Sequence, residues 1–425
     1  MSTTSDLADR SLPSRQTQKG TSHVLDILIN AQNLFDGDNQ VGPTSIGIKG
    51  DRFTWIGAKE DAPEASEVID TAGTALPGLF DLHFHQFLLL KEPVGGERDV
   101  SLDLPPMIAA KVFQAGWAAT TWVRTGVTTV RDAGAPDFLA VAMKEAIAAG
   151  WVPGPRVFAS GPIIAQHGGI RLGNEDHVEE VTGEVEARKT ARIQLKKGVD
   201  VLKIYGASSI GGGGGRLIGP PGWPQLSEPE MRAIVEEGHK AGRLASAHAV
   251  SAESIKNAIR AGVDWVDHAD ILDDEAIELL LEHDTPIVPT QGIAWSLANF
   301  GIEMGFGKHI QEKGKQMAEI AQEGLQRAWK AGVRMAAGTD ADNPRASIAQ
   351  ECILFTEIGM DPIDALRAAT SEAAKALHQE EDLGRVALGK VADLVLVDGN
   401  PVERIGDLTS VTTVIKAGQV VPLAG

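Results

Sequence analysis

Cysteine is almost absent from this sequence, because Cys352 is the only one among 425 residues. One cysteine cannot form a disulfide within the chain, and it cannot build a zinc module that depends on several thiolates. The sequence therefore excludes a small disulfide-stabilised fold and a zinc finger. The low cysteine content also suits a reducing compartment, and we expect a cytoplasmic protein.

Basic residues and long apolar runs are also scarce. The chain has 39 Lys and Arg residues against 58 Asp and Glu residues, which gives a formal net charge of −19. This negative charge repels phosphate backbones and anionic lipids, so we expect neither nucleic acid nor a membrane as a partner. No apolar stretch approaches the roughly 18 residues that cross a bilayer. Residues 1–22 lack the apolar segment of a secretory signal, and we expect them to form a disordered tail.

Aromatic residues make up only 5% of the chain, and Tyr205 is the only tyrosine. Hydrophobic residues nevertheless reach 43%, which is enough for a full core and excludes an intrinsically disordered chain. The length predicts one large domain with an accessory domain, or two to three ordinary domains.

Both ends of the chain have the pattern of short strands and turns. Apolar and polar residues alternate in VLDILI, and SIGIKG and RFTWIG flank a Gly50-Asp51 turn that is typical of a hairpin. The C-terminal segments VADLVLVDG and VTTVIKAGQVV have the same pattern. We therefore predict one small β-sandwich domain that combines residues 23–77 with residues 386–425.

The middle of the chain, residues 78–385, alternates between strand and helix patterns. Four segments begin at a helix end, where glycine supplies a left-handed C-cap, and continue as a Val-rich buried strand: RTGVTTVRD, KKGVDVLKI, RAGVDWVDH and KAGVRMAAGTD. Four further strand candidates are GLFDLHFH, PRVFASG, RLASAHA and TPIVPTQ. Eight strands, each followed by a helix, over roughly 300 residues predict an α/β fold, the (β/α)8 TIM barrel.

Polar residues recur where these strands end. In a (β/α)8 barrel the active site lies at the carboxyl ends of the strands, so we expect the side chains there to converge on one rim. The residues at those ends are His83 and His85 on the first strand, Lys203 and Tyr205 on the fourth, His248 on the fifth, His268 on the sixth and Asp340 on the eighth.

The histidines and Asp340 have the chemistry of metal ligands. His83 and His85 are two residues apart, so in a strand both point to the same side and can hold one metal ion. Alone the pair is a weak signal, since such pairs also occur on surfaces and in packed cores. His248 and His268 end neighbouring strands and supply a second pair of nitrogen ligands. Asp340 ends the strand beside the first, where a carboxylate can both bind metal and accept a proton from bound water.

Lys203 ends the otherwise apolar segment VDVLKI. A lysine in such a place usually pairs with a carboxylate or extends its ammonium group to solvent. A desolvated lysine has a lowered pKa, however, and its neutral amine can take up carbon dioxide to form a carbamate. This anionic group can bridge two cations, as two-metal hydrolytic sites require.

These motifs together resemble the amidohydrolase superfamily. The resemblance spans about residues 24–410 and is carried by PGLFDLHFH, VLKIYGA, ASAHAV, VDHADIL, AAGTDAD and GKVADLVLVDGNP. It implies two divalent ions, which we expect to be Zn²⁺, bridged by an N6-carboxylated Lys203. One ion would be bound by His83, His85 and Asp340, and the other by His248 and His268. The resemblance also implies that Asp340 is the catalytic acid and base.

Within the superfamily, PGPRVFASGPIIAQHGG, KIYGA and LDDEAIELL are most similar to the imidazolonepropionase-like branch, which resembles dipeptidases for Xaa-Pro and Xaa-Arg and ochratoxin-hydrolysing enzymes. Two positions depart from that branch. The loop that is usually of the GGHG type here has the sequence Gln166-His167-Gly168-Gly169, and Val250 stands where relatives often have a polar or aromatic residue. Both positions lie where substrate is recognised, so the resemblance does not carry over a particular substrate.

Four residues are candidates to contact the substrate. Tyr205 faces the barrel mouth, where its phenol can donate a hydrogen bond to a developing oxyanion or simply cap the strand as a core aromatic. His167, in a glycine-flanked loop after the third strand, is a second candidate for this catalytic role. Trp295 follows the seventh strand and can line an apolar pocket, and Arg345 can hold a substrate carboxylate.

Two further features of the sequence are weaker indications of function. The run Gly211–Gly215 is not followed by Gly-Lys-Ser/Thr, so it is not a phosphate-binding loop, and we expect a flexible loop or a lid. The remaining histidines fall outside the strand ends, and we expect them at the surface; they are His177, His239, His283, His309 and His378.

We therefore expect a binuclear amidohydrolase in which a hydroxide that bridges the two ions attacks an amide-type C–N bond. The expected substrates are small molecules, namely N-acyl amino acids, dipeptides or aryl amides, with ochratoxin-type compounds among them. The alternatives are a hydrolase that opens a cyclic amide or imidazolone, a heterocycle deaminase, and an inactive scaffold. Lys203 argues against one-metal deaminases, and six filled ligand positions argue against a scaffold. We also expect a homo-oligomer.

Overall fold

The computed structural model of the protein describes residues 24–87, 108–169, 177–208, 222–304, 307–340 and 346–423. The predicted tail over residues 1–22, the run Gly211–Gly215 and Arg345 lie outside these ranges. The described chain is an α/β structure with one mixed sheet and two parallel sheets. No helix within the described ranges has the length and apolar character needed to cross a bilayer.

The strands and helices are numbered here in chain order. The strands are β1 (Leu25–Phe35), β2 (Gln40–Val41), β3 (Thr44–Lys49), β4 (Arg52–Gly57), β5 (Ala65–Pro77), β6 (Leu79–Phe84), β7 (Val127–Asp132), β8 (Arg156–Phe158), β9 (Ile163–Gln166), β10 (Val178–Val181), β11 (Val201–Tyr205), β12 (Leu244–Ala249), β13 (Trp265–His268), β14 (Ile287–Val288), β15 (Leu394–Val397), β16 (Val411–Lys416) and β17 (Gln419–Val421). The α-helices are α1 (Ile108–Arg124), α2 (Leu139–Ala148), α3 (Gly183–Lys196), α4 (Glu228–Lys240), α5 (Ala252–Ala261), α6 (Asp274–Glu282), α7 (Gln291–Phe300), α8 (Lys308–Ala331), α9 (Ile348–Glu357), α10 (Pro362–Ala368) and α11 (Ser371–Ala376).

The mixed sheet combines strands from both ends of the described chain. Its order is β17-β16-β15-β5-β1-β3-β4, and β2 pairs with β1. The turn at Gly50-Asp51 joins β3 to β4 in an antiparallel pair, which confirms the predicted hairpin. Strand β15 pairs with β5, so the C-terminal strands extend a sheet that the N-terminal strands begin. The predicted β-sandwich and its boundaries at residues 23–77 and 386–425 stay predictions.

The remaining strands are parallel and alternate with helices. One sheet has the order β6-β7-β8, and the other has the order β10-β9-β11-β12-β13-β14. A parallel bridge between Ser160 and Val201 joins the residues after β8 to β11, and another between Ile287 and Met335 joins β14 to the segment before Asp340. The carboxyl ends of parallel strands lie at the same edge of a sheet, so this order places the predicted strand-end residues on one side.

Four of the strand segments begin with the predicted helix C-cap. The glycines before these segments have backbone φ angles between 90° and 97°, in the left-handed region that L side chains rarely adopt. They are Gly126, Gly198, Gly262 and Gly332. The prediction of a left-handed glycine at the end of each preceding helix is confirmed.

Gly338 allows the segment that carries Asp340 to approach β6. A Cβ atom at this position would lie 2.5 Å from Cγ1 of Val288 and 2.8 Å from the backbone nitrogen of His83. A side chain would therefore push the two segments apart. The backbone N–H of Asp340 donates to the carbonyl of His83 at 2.7 Å, which fixes the two residues side by side.

An apolar cluster lies beneath the polar strand ends. It includes Phe80 and Leu82 of β6, Val201 of β11 and Trp265 of β13. Because side chains in a strand alternate with a period of two, the residues two positions after Val201 and Trp265 share their face. Lys203 and Asp267 occupy those two positions, so β11 and β13 change from apolar to charged toward their carboxyl ends.

Candidate metal centre

The structure brings His83, His85 and Asp340 together. One ligand atom from each residue can be chosen so that all three lie within 4.8 Å of one another. The Nε2 atoms of His83 and His85 are each 3.5 Å from Oδ1 of Asp340. These distances suit three ligands around one ion, in which each ligand atom is about 2 Å from the metal.

His248 and His268 lie beside this group at the ends of β12 and β13. Their ring centroids are 4.3 Å apart, and the ring of His268 is 4.9 Å from that of His83. The rings of His83 and His85 are 5.3 Å apart, so the four imidazoles form one continuous cluster. This arrangement agrees with the expectation that the four histidines converge.

The four imidazoles are neutral at ordinary pH. Burial, together with nearby positive charge, lowers the pKa of His83, His248 and His268 well below the usual value, and burial lowers the pKa of His85 to about 3. Neutral imidazole is the form that binds a metal ion.

The hydrogen bonds of the histidines leave ring nitrogens available to bind a metal ion. Nδ1 of His85 lies 3.4 Å from the carbonyl oxygen of Gly134, which can only accept, so the Nε2 atom keeps its lone pair. Nδ1 of His268 is 2.7 Å from Oγ1 of Thr290. Within the described residues, the buried Nε2 atom of His248 has no hydrogen-bond partner. A buried polar atom without a partner is costly, and a metal ion would supply the missing interaction.

Lys203 is almost fully buried and pairs with Asp267. This pairing is one of the two ordinary roles considered for a lysine in an apolar strand. Burial opposes the charged form and lowers the pKa of Lys203 to about 8, although the negative charge of Asp267 acts in the other direction. Burial thus favours the neutral amine, which is the form that reacts with carbon dioxide, whereas the ion pair with Asp267 favours the charged form.

Asp267 and Arg131 are buried charged residues that the sequence analysis missed. The Arg131 guanidinium donates to Oδ1 of Asp267, and Nδ1 of His83 lies 3.0 Å from the same oxygen. Burial opposes ionisation of Asp267, but the positive charges of Arg131 and Lys203 outweigh it and hold the pKa of the carboxyl well below its usual range. The available signal was a charged residue inside each of two apolar strand patterns, VTTVRD and VDWVDH.

Asp81 is another buried residue that the sequence analysis missed. Its carboxylate accepts hydrogen bonds from the backbone N–H of His83 at 3.2 Å and from the indole of Trp122 at 3.2 Å. It also accepts hydrogen bonds from the backbone and the hydroxyl of Thr339. The signal in the sequence was an aspartate two residues before His83 in a strand that is otherwise apolar.

Three residues of the site have a left-handed backbone. The φ angles are 75° for His268, 52° for Thr290 and 48° for Asp340. A non-glycine residue in this region carries strain of roughly 1–3 kcal/mol, and such residues concentrate at functional sites. In each case the chain turns sharply where a strand segment ends, which directs the side chain toward the histidine cluster.

The residues predicted to contact the substrate differ in their burial and in their neighbours. Tyr205 is buried and its ring stacks on that of His248, with centroids 4.3 Å apart and an interplanar angle of 13°. The His167 side chain is 75% exposed, and its Nδ1 atom lies 2.9 Å from Glu180. Trp295 is half-buried on α7 and packs edge-on against Phe300. The structure thus brings Tyr205, but not His167 or Trp295, against the described histidine cluster.

The expectation that five further histidines lie at the surface is wrong for one of them. His177 is completely buried, immediately before β10, whereas the other four are exposed. Val178, the next residue, packs against an apolar cluster that contains Ile163, Ala165 and Tyr205. The sequence pattern missed His177 because it lies outside the ends of the predicted strands.

A cavity of about 200 Å³ lies between the histidine cluster and the helices α7 and α8. His248, His268 and Asp340 line one side of it. The other lining residues are mainly apolar, and they include Val250, Ile293, Leu297 and Met317. Asp270 also lines this cavity, and burial raises its pKa to about 7.

The donor set fits divalent metal ions. It offers four neutral imidazoles and the Asp340 carboxylate, with a desolvated lysine beside them, and imidazole nitrogen and carboxylate oxygen are common zinc ligands. A carboxylate and neutral imidazoles at hydrogen-bonding distances can also bind water without metal. The buried Nε2 atom of His248, which has no hydrogen-bond partner among the described residues, favours a bound metal ion.

The chain is similar to proteins of known family. Residues 74–421 match the model of the amidohydrolase family. An ochratoxinase from Aspergillus niger is 28% identical over 433 aligned residues, which cover 92% of this chain and 86% of that protein. A solved Xaa-Pro dipeptidase with methionine bound in its active site is 31% identical, with a TM-score of 0.79 over 93% of this chain and 99% of that one. A solved prolidase in complex with N-methylphosphonate-L-proline is 28% identical, with a TM-score of 0.81 over 93% and 99% of the two chains.

Proposed function

The chain belongs to the amidohydrolase family, which makes it a hydrolase that acts on C–N bonds, and we propose that it cleaves the amide bond of a dipeptide or an N-acyl amino acid with two divalent ions. The observation that carries this proposal is the convergence of four neutral histidines, Asp340 and a buried lysine at one edge of the parallel strands. The family acts on small-molecule substrates, and the described residues beside this cluster line a cavity of about 200 Å³.

We assign the two ions to neighbouring sets of residues. His83, His85 and Asp340 would hold the first ion, and His248 and His268 the second, with Lys203 carboxylated between them. The burial of Lys203 and its lowered pKa support this carboxylation, since they favour the reactive neutral amine. Bound divalent ions, which we expect to be Zn²⁺, would lower the pKa of water and polarise the substrate carbonyl.

The protein residues would move the protons and orient the substrate. Asp340 would accept the proton of the attacking water and deliver it to the leaving nitrogen, as a general base and then a general acid. Tyr205, stacked on His248, would donate a hydrogen bond to the carbonyl oxygen as negative charge develops there. His167, Trp295 and Arg345 remain candidate contacts for the more distant parts of the substrate.

We also propose that the parallel strands form the closed (β/α)8 barrel expected from the sequence. The bridges at Ser160–Val201 and Ile287–Met335 support this closure. So does the hydrogen bond from the backbone N–H of Leu82 to the carbonyl of Ala337, which is 2.9 Å long. Closure would place all six candidate ligands around one opening.

The relatives narrow the substrates that should be tested first. One binds methionine in its active site and is a Xaa-Pro dipeptidase, and another is an ochratoxinase. An apolar cavity beside the histidines suits the apolar portion of such compounds. We therefore propose dipeptides with an aliphatic residue as the first class and aryl amides of the ochratoxin type as the second.

An activity screen tests the proposal. The zinc-loaded protein is incubated with dipeptides, N-acyl amino acids, aryl amides and cyclic imides, and released amine is measured. We expect hydrolysis in the first three classes, which Asp340→Asn abolishes and the exposed variant Glu278→Gln retains. Hydrolysis of cyclic imides alone would favour the ring-opening alternative, and release of ammonia from heterocycles would favour a deaminase.

A further inference from the structure

The cavity that the described residues line beside the histidine cluster is small. Its volume is about 200 Å³, whereas pockets for drug-sized ligands usually have roughly 300–1,000 Å³. Helices α7 and α8 contribute Ile293, Leu297 and Met317 to its wall, and Val250 contributes from the end of β12. This apolar wall suits a short aliphatic group of a ligand.

Asp270 also lines this cavity and is not one of the candidate metal ligands. Asp270 is 9% exposed, and no hydrogen bond or ion pair joins its side chain to the residues that the structure describes. None of the described lining residues is a lysine or an arginine. A buried carboxylate is costly unless it is paired or hydrogen-bonded. A positively charged group of a ligand in this cavity would supply such a partner.

The positions of Asp270 and of the apolar side chains in the cavity restrict the chemical structure of a ligand that fits there. Asp270 follows His268 by two residues, and two residues of chain span at most about 7 Å. The carboxylate is thus close to the histidine cluster, while the apolar side chains of α7 and α8 form the opposite wall. A ligand that fills the cavity has its polar, positively charged group near the reacting carbonyl and its aliphatic group beyond it.

We propose that Asp270 determines specificity by binding the α-ammonium group of the substrate's acyl portion, whose aliphatic side chain lies between α7 and α8. This inference rests on the proposed function and names its substrate class as aminoacyl amides with a free amino group. A carboxylate in this position would be repelled by Asp270, and a plain acyl chain would leave Asp270 buried without a partner. Amides whose acyl portion has a blocked amino group, or no amino group as in simple N-acyl amino acids, are accordingly poorer substrates than dipeptides with a free amino group.

The matched substrates are a leucyl amide and the corresponding 4-methylpentanoyl amide, which differ only by the amino group and share a leaving group taken from the activity screen. We expect the wild-type protein to prefer the leucyl compound in kcat/KM by roughly tenfold to a hundredfold, the range for a hydrogen bond to a charged group. Asp270→Asn removes this preference. Glu278→Gln, which removes one negative charge from an exposed position on α6, keeps it.

A binding measurement separates this inference from the proposed function. Calorimetry of the zinc-loaded protein with leucinol and with 4-methylpentan-1-ol, which differ only by the amino group and have no amide bond to hydrolyse, measures the subsite without turnover. We expect leucinol to bind more tightly by a similar factor, and Asp270→Asn to remove the difference.

The outcomes are distinct. Loss of the binding preference in Asp270→Asn supports the subsite even if neither amide is hydrolysed, in which case only the proposed function fails. Hydrolysis of both amides at equal rates, or a preference that survives in Asp270→Asn, overturns the subsite while the proposed function stands.

Discussion

The carboxylate of Asp81 accepts two hydrogen bonds from Thr339, one from the backbone N–H at 2.9 Å and one from the hydroxyl at 2.7 Å. Asp81 lies on β6 two residues before His83, and Thr339 directly precedes Asp340. A single buried carboxylate therefore ties the strand that carries two histidines to the segment that carries Asp340. The histidines and Asp340 come from distant parts of the sequence, and this connection adds to the backbone hydrogen bond from Asp340 to His83 that holds them together.

Asp81→Asn should loosen this connection. An amide of similar size keeps one acceptor but directs an NH₂ group at donors, so at least one buried hydrogen bond is lost. We expect the free energy of unfolding to fall by about 1–3 kcal/mol and zinc affinity to fall with it. Denaturant unfolding and zinc titration measure the two effects. The exposed variant Asp61→Asn serves as control, and unchanged zinc affinity in Asp81→Asn would argue against the positioning role.

Lys203→Ala should remove the carbamate that the proposed function requires. Intact-mass measurement of the wild-type protein under mild conditions should show a labile adduct with the mass of one carbon dioxide. The adduct should be absent from Lys203→Ala and retained in Lys196→Ala, which changes an exposed lysine at the end of α3. Activity should fall together with the adduct. An adduct that persists in Lys203→Ala would place the modification elsewhere.

Asp340→Asn should lower activity while the stability of the fold changes little. Asparagine has nearly the same volume and, like aspartate, tolerates the left-handed backbone at this position, where φ is 48°. We therefore expect the unfolding temperature to change little. The loss of a general acid and base should lower kcat by roughly 10²- to 10⁴-fold. Steady-state kinetics on the best substrate of the screen, with thermal unfolding as control, tests this, and a fully active variant would remove Asp340 from its assigned role.

Glu351 should make stability depend on pH. Its buried carboxyl accepts hydrogen bonds from the backbone N–H groups of Gln291 and Gly292 at the start of α7. Burial raises its pKa to about 8, against 4.5 for an exposed glutamate. Between these values the folded state holds a proton that the unfolded state releases. The free energy of unfolding contributed by Glu351 is therefore full at low pH and decreases as pH rises, by at most about 1.4 kcal/mol per pH unit.

The comparison with Glu351→Gln isolates this contribution. The difference in unfolding temperature between the wild type and the variant, followed over roughly pH 5 to 9, should move in favour of the variant as pH rises. Parallel pH profiles would mean that the carboxyl is ionised throughout.

The sequence was sufficient for those parts of the site that follow from strand periodicity. The residues at strand ends, such as His83, His85 and His268, could be predicted to converge because parallel strands place their carboxyl ends at one edge. The four glycines after helices could be predicted from the backbone conformation that a helix end requires. Family resemblance then supplied the order of the candidate ligands, and the family match confirms that resemblance.

Other parts of the site depend on contacts that no local pattern contains. Arg131 and Asp267 are 136 residues apart, and only the tertiary structure shows that they form a buried pair. Asp270 follows a predicted ligand by two residues, but only the tertiary structure shows that its described neighbours in the cavity include apolar residues of α7 and α8. His177 is buried by tertiary packing although its own segment has no strong strand pattern.

Metal content measured together with activity tests the central claim most directly. The purified protein is stripped with a chelator and titrated with Zn²⁺, and bound metal per chain and rate of amide hydrolysis are measured at each point. The proposed function predicts no activity without metal, and full activity as occupancy approaches two ions per chain. Full activity in the stripped protein, or a maximum reached at one ion with no further binding, would contradict it.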